Sequence, residues 1–432
     1  MPAYHKKTKQ STEKKISLPI DRLTLPDLRE AVKGRFASFC TAVGIQALMT
    51  LMEQDVESMA GPKGKHNPER TAYRHGTQST SIPMGNQRIA IDRPRVRSIA
   101  SDQELPIESY EAFANDDQLL EAALNRMLYG MSTRDYEHGI DNYNDVVKTS
   151  GTSKSTVSQR FIKASAKEAK KVLGRRFDEE TIPVILIDGI VLGDYTAIVV
   201  AGINADGRKL TMGVRIGSTE NASVCRDLLT DLVERGLRYE QGLLAIIDGS
   251  KALRKALKDV FGHHVLIQRC QVHKMRNVLD YLPKHQREWM KRKLRQAWSA
   301  PSYAEAVRQL RSLATSLSTD HPDAAASLRE GLEETVTILK LEIPALLQAS
   351  LRSTNMIESG FSMVSKNIKN VKNWKNGTMV QRWVCAALLD AESRTNRIRG
   401  YRFLGILITE LQRLTTINEP DMDAIENKSK TA

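Results

Sequence analysis

The stretch PVILIDGIVLGDY, residues 183–195, predicts a buried β-strand that contains one aspartate, Asp188. A second apolar run, LLAIIDGSKAL at 243–253, repeats the arrangement around Asp248. Taken singly, each aspartate has an ordinary explanation. Asp-Gly between apolar runs is a strong hairpin-turn signal, which accounts for Asp188, and Asp248 could be a turn residue before a helix that is N-capped by Ser250.

The runs around Asp188 predict an α/β sheet. YTAIVVAGIN and KLTMGVRIG follow at short spacing, so the first three strands are predicted to form an antiparallel meander. A helix near 220–235, the strand that ends at Asp248, another helix and the strand HHVLIQRC come next. This order would bring Asp248 beside Asp188. Two adjacent carboxylates repel each other unless a cation lies between them, and their oxygens suit Mg²⁺ or Mn²⁺.

A third carboxylate, Glu358, lies in LRSTNMIESGFSMVSKNIKN. Apolar residues recur at helical spacing from Ile357 to Ile368, which predicts an amphipathic helix with Glu358 beside the apolar stripe in the first turn. Its other explanation is a capping glutamate three positions after Asn355. A two-metal phosphoryl-transfer site would use all three acids.

Length and composition are those of an ordinary globular chain of two or three domains, with 432 residues, 41% hydrophobic and 27% charged. No apolar run approaches the ~18 residues of a membrane span, and the basic N-terminus has no apolar core of a secretory signal. Four scattered cysteines fit a reducing cytosol. We therefore expect a soluble intracellular protein that does not contact a membrane.

The formal net charge of +13 is concentrated in two segments. Residues 269–295 carry nine Lys/Arg against two acids, and residues 366–402 also carry nine against two. Localised basic surface is what a phosphate backbone requires, because each neutralised phosphate releases a counterion. The alternative is a pair of solvated basic helices.

The segment GTSKSTVSQRFIKASAKEAKKVL, residues 151–173, predicts a helix that Ser153 can N-cap, with Val157 and Phe161 on its buried face. Following another helix and a tight turn, it suggests a helix-turn-helix near 130–165 that reads the major groove. A plain capped amphipathic helix is the alternative. The side chains expected to project outward toward DNA are Lys154, Ser155, Thr156, Gln159 and Arg160.

The series LIDG, IIDG and STNMIES, with RCQVHKMRN before the third motif, resembles the mutator-type transposases of bacterial insertion sequences over about 40–400. That family belongs to the DDE superfamily. The resemblance implies an α/β ribonuclease-H-like catalytic core, with a mixed sheet, an all-α insertion and a mainly helical N-terminal DNA-binding region. It also implies that Asp188, Asp248 and Glu358 are catalytic and hold two Mg²⁺ or Mn²⁺ ions.

The same resemblance assigns supporting residues. Cys270 and His273 match the family's Cys-x-x-His signature. The pair could supply half of a zinc site, but no second Cys-x-x-Cys or His pair completes it. We therefore interpret the cysteine as core packing and the histidine as an active-site or DNA contact. The basic residue expected seven positions after the glutamate is Ser365 here, so either Lys366 or Lys369, three helical turns after Glu358, would touch the scissile DNA.

Several further expectations follow from this resemblance. The partners are double-stranded DNA, as terminal inverted repeats and target, and further copies of the chain in a homodimer or larger assembly on DNA in the bacterial cytosol. Trp374 and Trp383 are candidates for base stacking, with core packing as the alternative. The predicted organisation is a flexible basic tail over 1–30, a DNA-binding region over 31–175, the core over 181–270, the insertion over 274–350, closing core helices over 353–415 and a flexible tail over 416–432.

Two other functions fit the same residues. A structure-selective nuclease or junction resolvase would cut DNA without joining it, and a non-catalytic helix-turn-helix protein would only bind it. All three acids are present, so nothing in the sequence indicates decay of the site.

Overall fold

The computed structural model describes residues 36–65, 68–140, 147–217 and 221–417. The chain divides into two compact units, Met1–Ala164 and Ser165–Ala432, and each is described by itself. The predicted tail over 1–30 lies outside the described residues. So does the tail over 416–432, except that the last helix continues to Ile417.

The first unit is built on a long antiparallel hairpin packed against a helix. Its elements are α1 (Phe36–Ala60), β1 (Ala72–Met84), β2 (Gln87–Ser98), β3 (Glu104–Leu105), α2 (Glu108–Phe113), α3 (Asp117–Leu128) and β4 (Thr149–Ser150). The hairpin predicted over 73–96 is confirmed, since β1 and β2 pair antiparallel up to Met84 and Gln87. β3 and β4 complete a four-stranded sheet on β2, and the apolar side chains of α1 pack on it. The hairpin was thus expected in this mainly helical region, but the short strands β3 and β4 that extend it were not.

Helix α4 (Lys154–Leu173) follows this sheet, and the unit boundary falls within it. Ser153 caps it as predicted, because its hydroxyl accepts from the Thr156 N–H at 3.4 Å. The tight turn of a helix-turn-helix is not seen in the described residues. α3 ends at Leu128, and the short strand β4 directly precedes α4. Residues 141–146 of the predicted motif lie outside the described part.

The second unit contains a five-stranded mixed sheet with the order β7-β6-β5-β8-β9. The strands are β5 (Val184–Leu192), β6 (Tyr195–Ile203), β7 (Lys209–Gly217), β8 (Leu243–Ile247) and β9 (Val265–Arg269). The first three are antiparallel, as predicted, and β8 and β9 are added in parallel to β5. The crossover helices are α5 (Ala222–Glu234) and α6 (Lys251–Phe261).

Residues 271–351 form the predicted helical insertion, with no strand among them. Its elements are α7 (Gln271–Asp280), α8 (Lys284–Trp298), α9 (Tyr303–Leu317), α10 (Pro322–Arg329), a 3₁₀ segment (Glu333–Lys340) and α11 (Ala345–Leu351). Pro283, Pro322 and Pro344 stand at helix starts, where a missing N–H costs nothing. The insertion has its own apolar core. The chain closes with α12 (Asn355–Asn367), α13 (Gly377–Arg394) and α14 (Leu404–Ile417).

The sheet is covered on both faces, which explains why its central strands read as continuous apolar runs rather than alternating ones. Ile185 and Ile187 belong to the core formed with α5 and α6. Leu186, which points to the opposite face, lies with Ile357 of α12 and Leu388 of α13 around a narrow apolar cleft. No described helix has the length and apolar character needed to span a bilayer.

Candidate active site

Asp188 lies in the middle of strand β5, opposite Val199 of β6. The hairpin turn that an Asp-Gly pair predicts is therefore wrong for this position. The turn comes after Leu192, which pairs with Tyr195, and Gly193 occupies it with φ +61°. Strand pairing overrides the local turn preference because apolar residues continue on both sides of the aspartate, from Val184 to Ile187 before it and from Ile190 to Leu192 after it. Asp188 is only 7% exposed, and its Oδ1 accepts the Gly189 N–H at 2.8 Å.

Asp248 follows the last residue of β8 and is level with Asp188. Ile187 pairs with Ile247 in the parallel register, so the two aspartates are the next residues on adjacent strands. Asp248 Oδ1 accepts the Ser250 N–H at 2.8 Å, and Ser250 N-caps α6 as predicted. Gly249 has φ +112°, and a Cβ there would meet the Arg269 guanidinium at 2.1 Å. The glycine after Asp248 is thus required by backbone conformation and space.

Glu358 lies in the first turn of α12 and is half-buried. The capping box with Asn355 is not formed, because the helix starts at Asn355 and its N-cap residue is Thr354. The Thr354 hydroxyl instead donates to Glu358 Oε1 at 2.9 Å. This bond, made by a side chain with no exposed surface, fixes the orientation of the glutamate.

The surroundings of Asp188 oppose its ionisation. The pKa of Asp188 is raised to about 6, mainly by burial; the charges of Asp248 and Glu358 add to the rise, and the Gly189 hydrogen bond and the charge of His273 oppose it. A carboxyl group in such surroundings resists ionisation unless a cation compensates it. The fold therefore brings Asp248 and Glu358, from distant sequence positions, within electrostatic range of Asp188.

Cys270 and His273 adjoin Glu358. Cys270 is buried and N-caps α7, while its Sγ also accepts the Thr354 N–H at 3.4 Å. His273 Nδ1 lies 3.4 Å from the Thr354 hydroxyl, and its Nε2 lies 3.9 Å from Glu358 Oε1. Among the described residues, one ligand atom from each of Cys270, His273 and Glu358 lies within 4.8 Å of the others.

Cys270 and His273 affect each other's pKa through a side-chain hydrogen bond. Burial opposes ionisation of the Cys270 thiol, but hydrogen bonds from His273 and Thr354 outweigh it and lower the pKa of Cys270. The hydrogen bond with Cys270 is the main reason that the pKa of His273 is raised, against the effect of burial. Cys270 is buried, as the core-packing interpretation expected. In addition, its sulfur contacts Thr354, the residue whose hydroxyl orients Glu358.

Three residues of importance here were not selected from the sequence. Thr354 contacts Cys270, His273 and Glu358, and its only sequence signal was its place just before a predicted helix. Lys274 is fully buried and donates to the Ser327 carbonyl at 2.6 Å, and Arg269 is buried with its Nη1 on the Glu330 carbonyl. The basic segment 269–295 therefore contributes two fewer surface charges than its composition predicted.

The lysines predicted near the scissile DNA are exposed, but the helical argument for Lys369 is wrong. α12 ends at Asn367, so Lys369 lies beyond the helix and does not share the phase of Glu358. Lys366 is in the last turn. Core packing is confirmed for Trp383, which is buried, but it is wrong for Trp374. Trp374 is half-buried, with its ring against Gly193 in the β5–β6 turn.

The N-terminal turn of α4 presents most of the predicted DNA contacts. Lys154, Ser155 and Gln159 are exposed and Thr156 is half-buried. Arg160 was predicted to project outward, and that prediction is wrong: its side chain is buried and Nη1 donates to the Gly151 carbonyl at 2.7 Å. Arg160 is three residues after the buried Val157, which places it on the inner face of the helix.

Comparison with known proteins identifies a family and several relatives of similar sequence. A family model described as "Transposase, Mutator family" matches residues 29–396. The transposase for insertion sequence element ISRM5 of Rhizobium meliloti is 26% identical over 379 residues, which cover 84% of this chain and 91% of that protein. The transposase for insertion sequence element IS6120 of Mycolicibacterium smegmatis is 29% identical over 252 residues, covering 57% and 75% respectively. The transposase for IS256 in transposon Tn4001 of Staphylococcus aureus is 24% identical over 369 residues, covering 79% and 86%.

Proposed function

Because the chain belongs to the mutator family of transposases, we propose that it binds terminal inverted repeats and catalyses DNA strand cleavage and strand transfer through Asp188, Asp248 and Glu358. One observation carries this proposal: adjacent parallel strands place the two aspartates level, with Glu358 close enough to act on the pKa of Asp188. The order β7-β6-β5-β8-β9, with three antiparallel strands followed by two parallel ones, supports a ribonuclease-H-like core.

The cofactor that we propose is a pair of Mg²⁺ or Mn²⁺ ions held by the three carboxylates. The donor set fits, since it consists of oxygens, and burial together with the charges of Asp248 and Glu358 raises the pKa of Asp188, so that a bound cation would favour its ionised form. When bound, such ions polarise the phosphate and activate the attacking hydroxyl.

The chain's own residues set the geometry of the reaction. Backbone N–H groups orient Asp188 and Asp248, and the Thr354 hydroxyl orients Glu358. In the first step, a water oxygen forms a new P–O bond, and the bond to the 3′ oxygen breaks, which releases the transposon 3′-hydroxyl. In the second step, that hydroxyl attacks a target phosphodiester and displaces another 3′ oxygen. One site serves both steps because only the nucleophile differs, and no covalent protein intermediate is needed.

DNA contacts are proposed in both units. The exposed residues of the α4 N-terminus (Lys154, Ser155, Thr156 and Gln159) would read the terminal repeats. Lys366, Lys369 and the exposed cations of 276–295 would hold phosphates, with Trp374 available for stacking. Two transposon ends must be joined, so we propose a homodimer or larger assembly on DNA in the bacterial cytosol.

The test uses end DNA with Mg²⁺ and the variants Asp188→Asn, Asp248→Asn and Glu358→Gln. We expect each variant to lose cleavage and joining while its binding to terminal-repeat DNA is retained. Mg²⁺-dependent cleavage by any purified variant contradicts the assignment. With pre-cleaved ends, a joined product identifies a transposase, cutting without joining identifies a nuclease, and binding without chemistry identifies a regulator.

A further inference from the structure

We propose that Cys270, His273 and Glu358 form a second metal site, selective for Zn²⁺, that shares Glu358 with the catalytic carboxylates. Sulfur, imidazole nitrogen and carboxylate oxygen are the three ligand types that zinc takes in proteins. The sequence offered only the Cys-x-x-His pair, half of a zinc site, and the fold supplies the third ligand from α12.

The separations suit a tetrahedral ion. Bonds of about 2.0–2.3 Å to zinc put neighbouring ligand atoms roughly 3.3–3.6 Å apart. His273 Nε2 and Glu358 Oε1 are already 3.9 Å apart, and one ligand atom from each of the three residues lies within 4.8 Å of the others. Side-chain rotations that move the ligand atoms by a few tenths of an ångström to about 1 Å would bring them to these separations. The fourth position would remain for water, as in zinc sites with three protein ligands.

The surroundings are also those of a built site. Cys270 has no exposed surface, and two backbone N–H groups, those of His273 and Thr354, point at its sulfur at 3.5 and 3.4 Å. Such donors stabilise a thiolate ligand. The Thr354 hydroxyl donates to Glu358 Oε1, the same oxygen that lies 3.9 Å from His273 Nε2, and so holds that oxygen beside the histidine while a second lone pair stays available for the ion. Outer bonds of this kind orient metal ligands.

A consequence for regulation rests on the proposed function. Glu358 cannot serve both sites in the same geometry, so Zn²⁺ held by Cys270 and His273 would withdraw this carboxylate from Asp188 and Asp248. Zinc would then act as an inhibitor of the Mg²⁺-dependent reaction. Soft ligands favour zinc over Mg²⁺, so the inhibition would persist in millimolar Mg²⁺.

Binding is tested with Co²⁺ and Zn²⁺ alone on the full chain without DNA. A Cys40→Ser background removes the exposed thiol. We expect a thiolate-to-cobalt absorption band that is lost in Cys270→Ser, where serine preserves the N-cap, and kept in Cys225→Ala, a buried cysteine outside the site. Zn²⁺ affinity, measured by competition with a chromophoric chelator, should fall at least ~10- to 100-fold in His273→Asn and Glu358→Gln, since loss of even an outer partner costs that much. Absence of the band, or its persistence in Cys270→Ser, overturns the site.

Inhibition is tested separately by titrating Zn²⁺ into Mg²⁺-dependent cleavage, with each protein normalised to its own activity. Cys270→Ser should need at least ~10-fold more Zn²⁺ for half inhibition, by the same ligand argument. Equal inhibition of both proteins would mean that zinc acts at the carboxylates alone and would overturn the shared site. Failure of the proposed function is distinguishable, because it appears as no cleavage in zinc-free Mg²⁺ while the cobalt spectrum is unaffected.

Discussion

Replacing Asp188 by asparagine is expected to stabilise the metal-free protein while abolishing its chemistry. The carboxyl group is 7% exposed and lies in a cluster with two other acids, and burial is the main reason that its pKa is raised to about 6. Asparagine keeps the shape and an oxygen that can accept the Gly189 N–H, but it carries no charge. The wild-type protein therefore bears a cost at neutral pH that the variant avoids.

The magnitude follows from linkage. A folded-state pKa above the unfolded value of 3.8 means that the neutral carboxyl favours folding below about pH 4, and this contribution is lost as the pH rises through about 6. A shift of about two units at 1.36 kcal/mol per unit gives about 3 kcal/mol at pH 7.5. At pH 5 the folded carboxyl is still mostly protonated, so the same relation gives about 1.6 kcal/mol.

The assay is urea unfolding of the metal-free protein, followed by tryptophan fluorescence. All four tryptophans belong to the second unit, which contains Asp188, so the signal reports on that unit (Trp289, Trp298, Trp374 and Trp383). Asp206→Asn, at an exposed turn position of the same sheet, is the matched control and should change stability by less than ~0.5 kcal/mol.

Two results would refute this reasoning. The first is an Asp188→Asn protein that is no more stable than wild type at pH 7.5. The second is a gain that does not shrink between pH 7.5 and pH 5, because a pH-independent gain would come from packing rather than charge. Under the proposed function, Mg²⁺ should reverse the order of stability, because a ligand of the wild-type carboxylates would stabilise only the folded state.

Three further changes have clear expectations. Thr354→Val removes the hydroxyl that orients Glu358 and should weaken Mn²⁺ binding by ~10- to 100-fold, measured by titration, whereas Thr354→Ser should retain it. Lys274→Met removes the donor to the Ser327 carbonyl and should lower the free energy of unfolding of the second unit by ~1–3 kcal/mol in the urea assay, with no change indicating that the buried amine is replaceable. Neutralising the exposed Lys372 and Lys375 to glutamine should reduce the slope of log binding constant against log salt concentration by about 2, whereas the same change at Lys255 and Lys258 should not alter it.

The sheet and the helical insertion could be predicted because their signals are strong and local. Five apolar runs of strand length gave the strands, and prolines at helix starts gave the segmentation of the insertion. The level placement of Asp188 and Asp248 followed from strand order alone, since a parallel neighbour at the carboxyl end brings both residues to one edge.

Errors arose where a short motif was interpreted without its surroundings. The Asp-Gly pair at Asp188 indicates a turn locally, but pairing along the whole of β5 decides its conformation. Arg160 and Lys274 are polar by type, yet each reaches backbone carbonyls from a buried helix face, Gly151 for one and Ser327 for the other. A lysine or arginine can be buried when its side chain reaches a backbone carbonyl. Whether a carbonyl lies close enough depends on the folded structure and cannot be seen in a short stretch of sequence.

The two ends of the helical insertion contact each other, which explains how Glu358 can lie near Asp188 although the insertion separates them in sequence. The chain leaves the sheet at Cys270 and returns at Thr354, and the Gln271 N–H donates to the Arg352 carbonyl at 3.0 Å. The Thr354 N–H and hydroxyl both lie 3.4 Å from the Cys270 sulfur, so the residues that flank the insertion on either side are in contact next to Glu358. The helices between them form their own core, and the 3₁₀ segment also bonds to β9, with the Thr337 hydroxyl donating to the Ile267 carbonyl at 2.7 Å. Cys270 and Thr354 therefore join the two ends of the insertion, and this contact holds Glu358 of α12 near the sheet that carries Asp188.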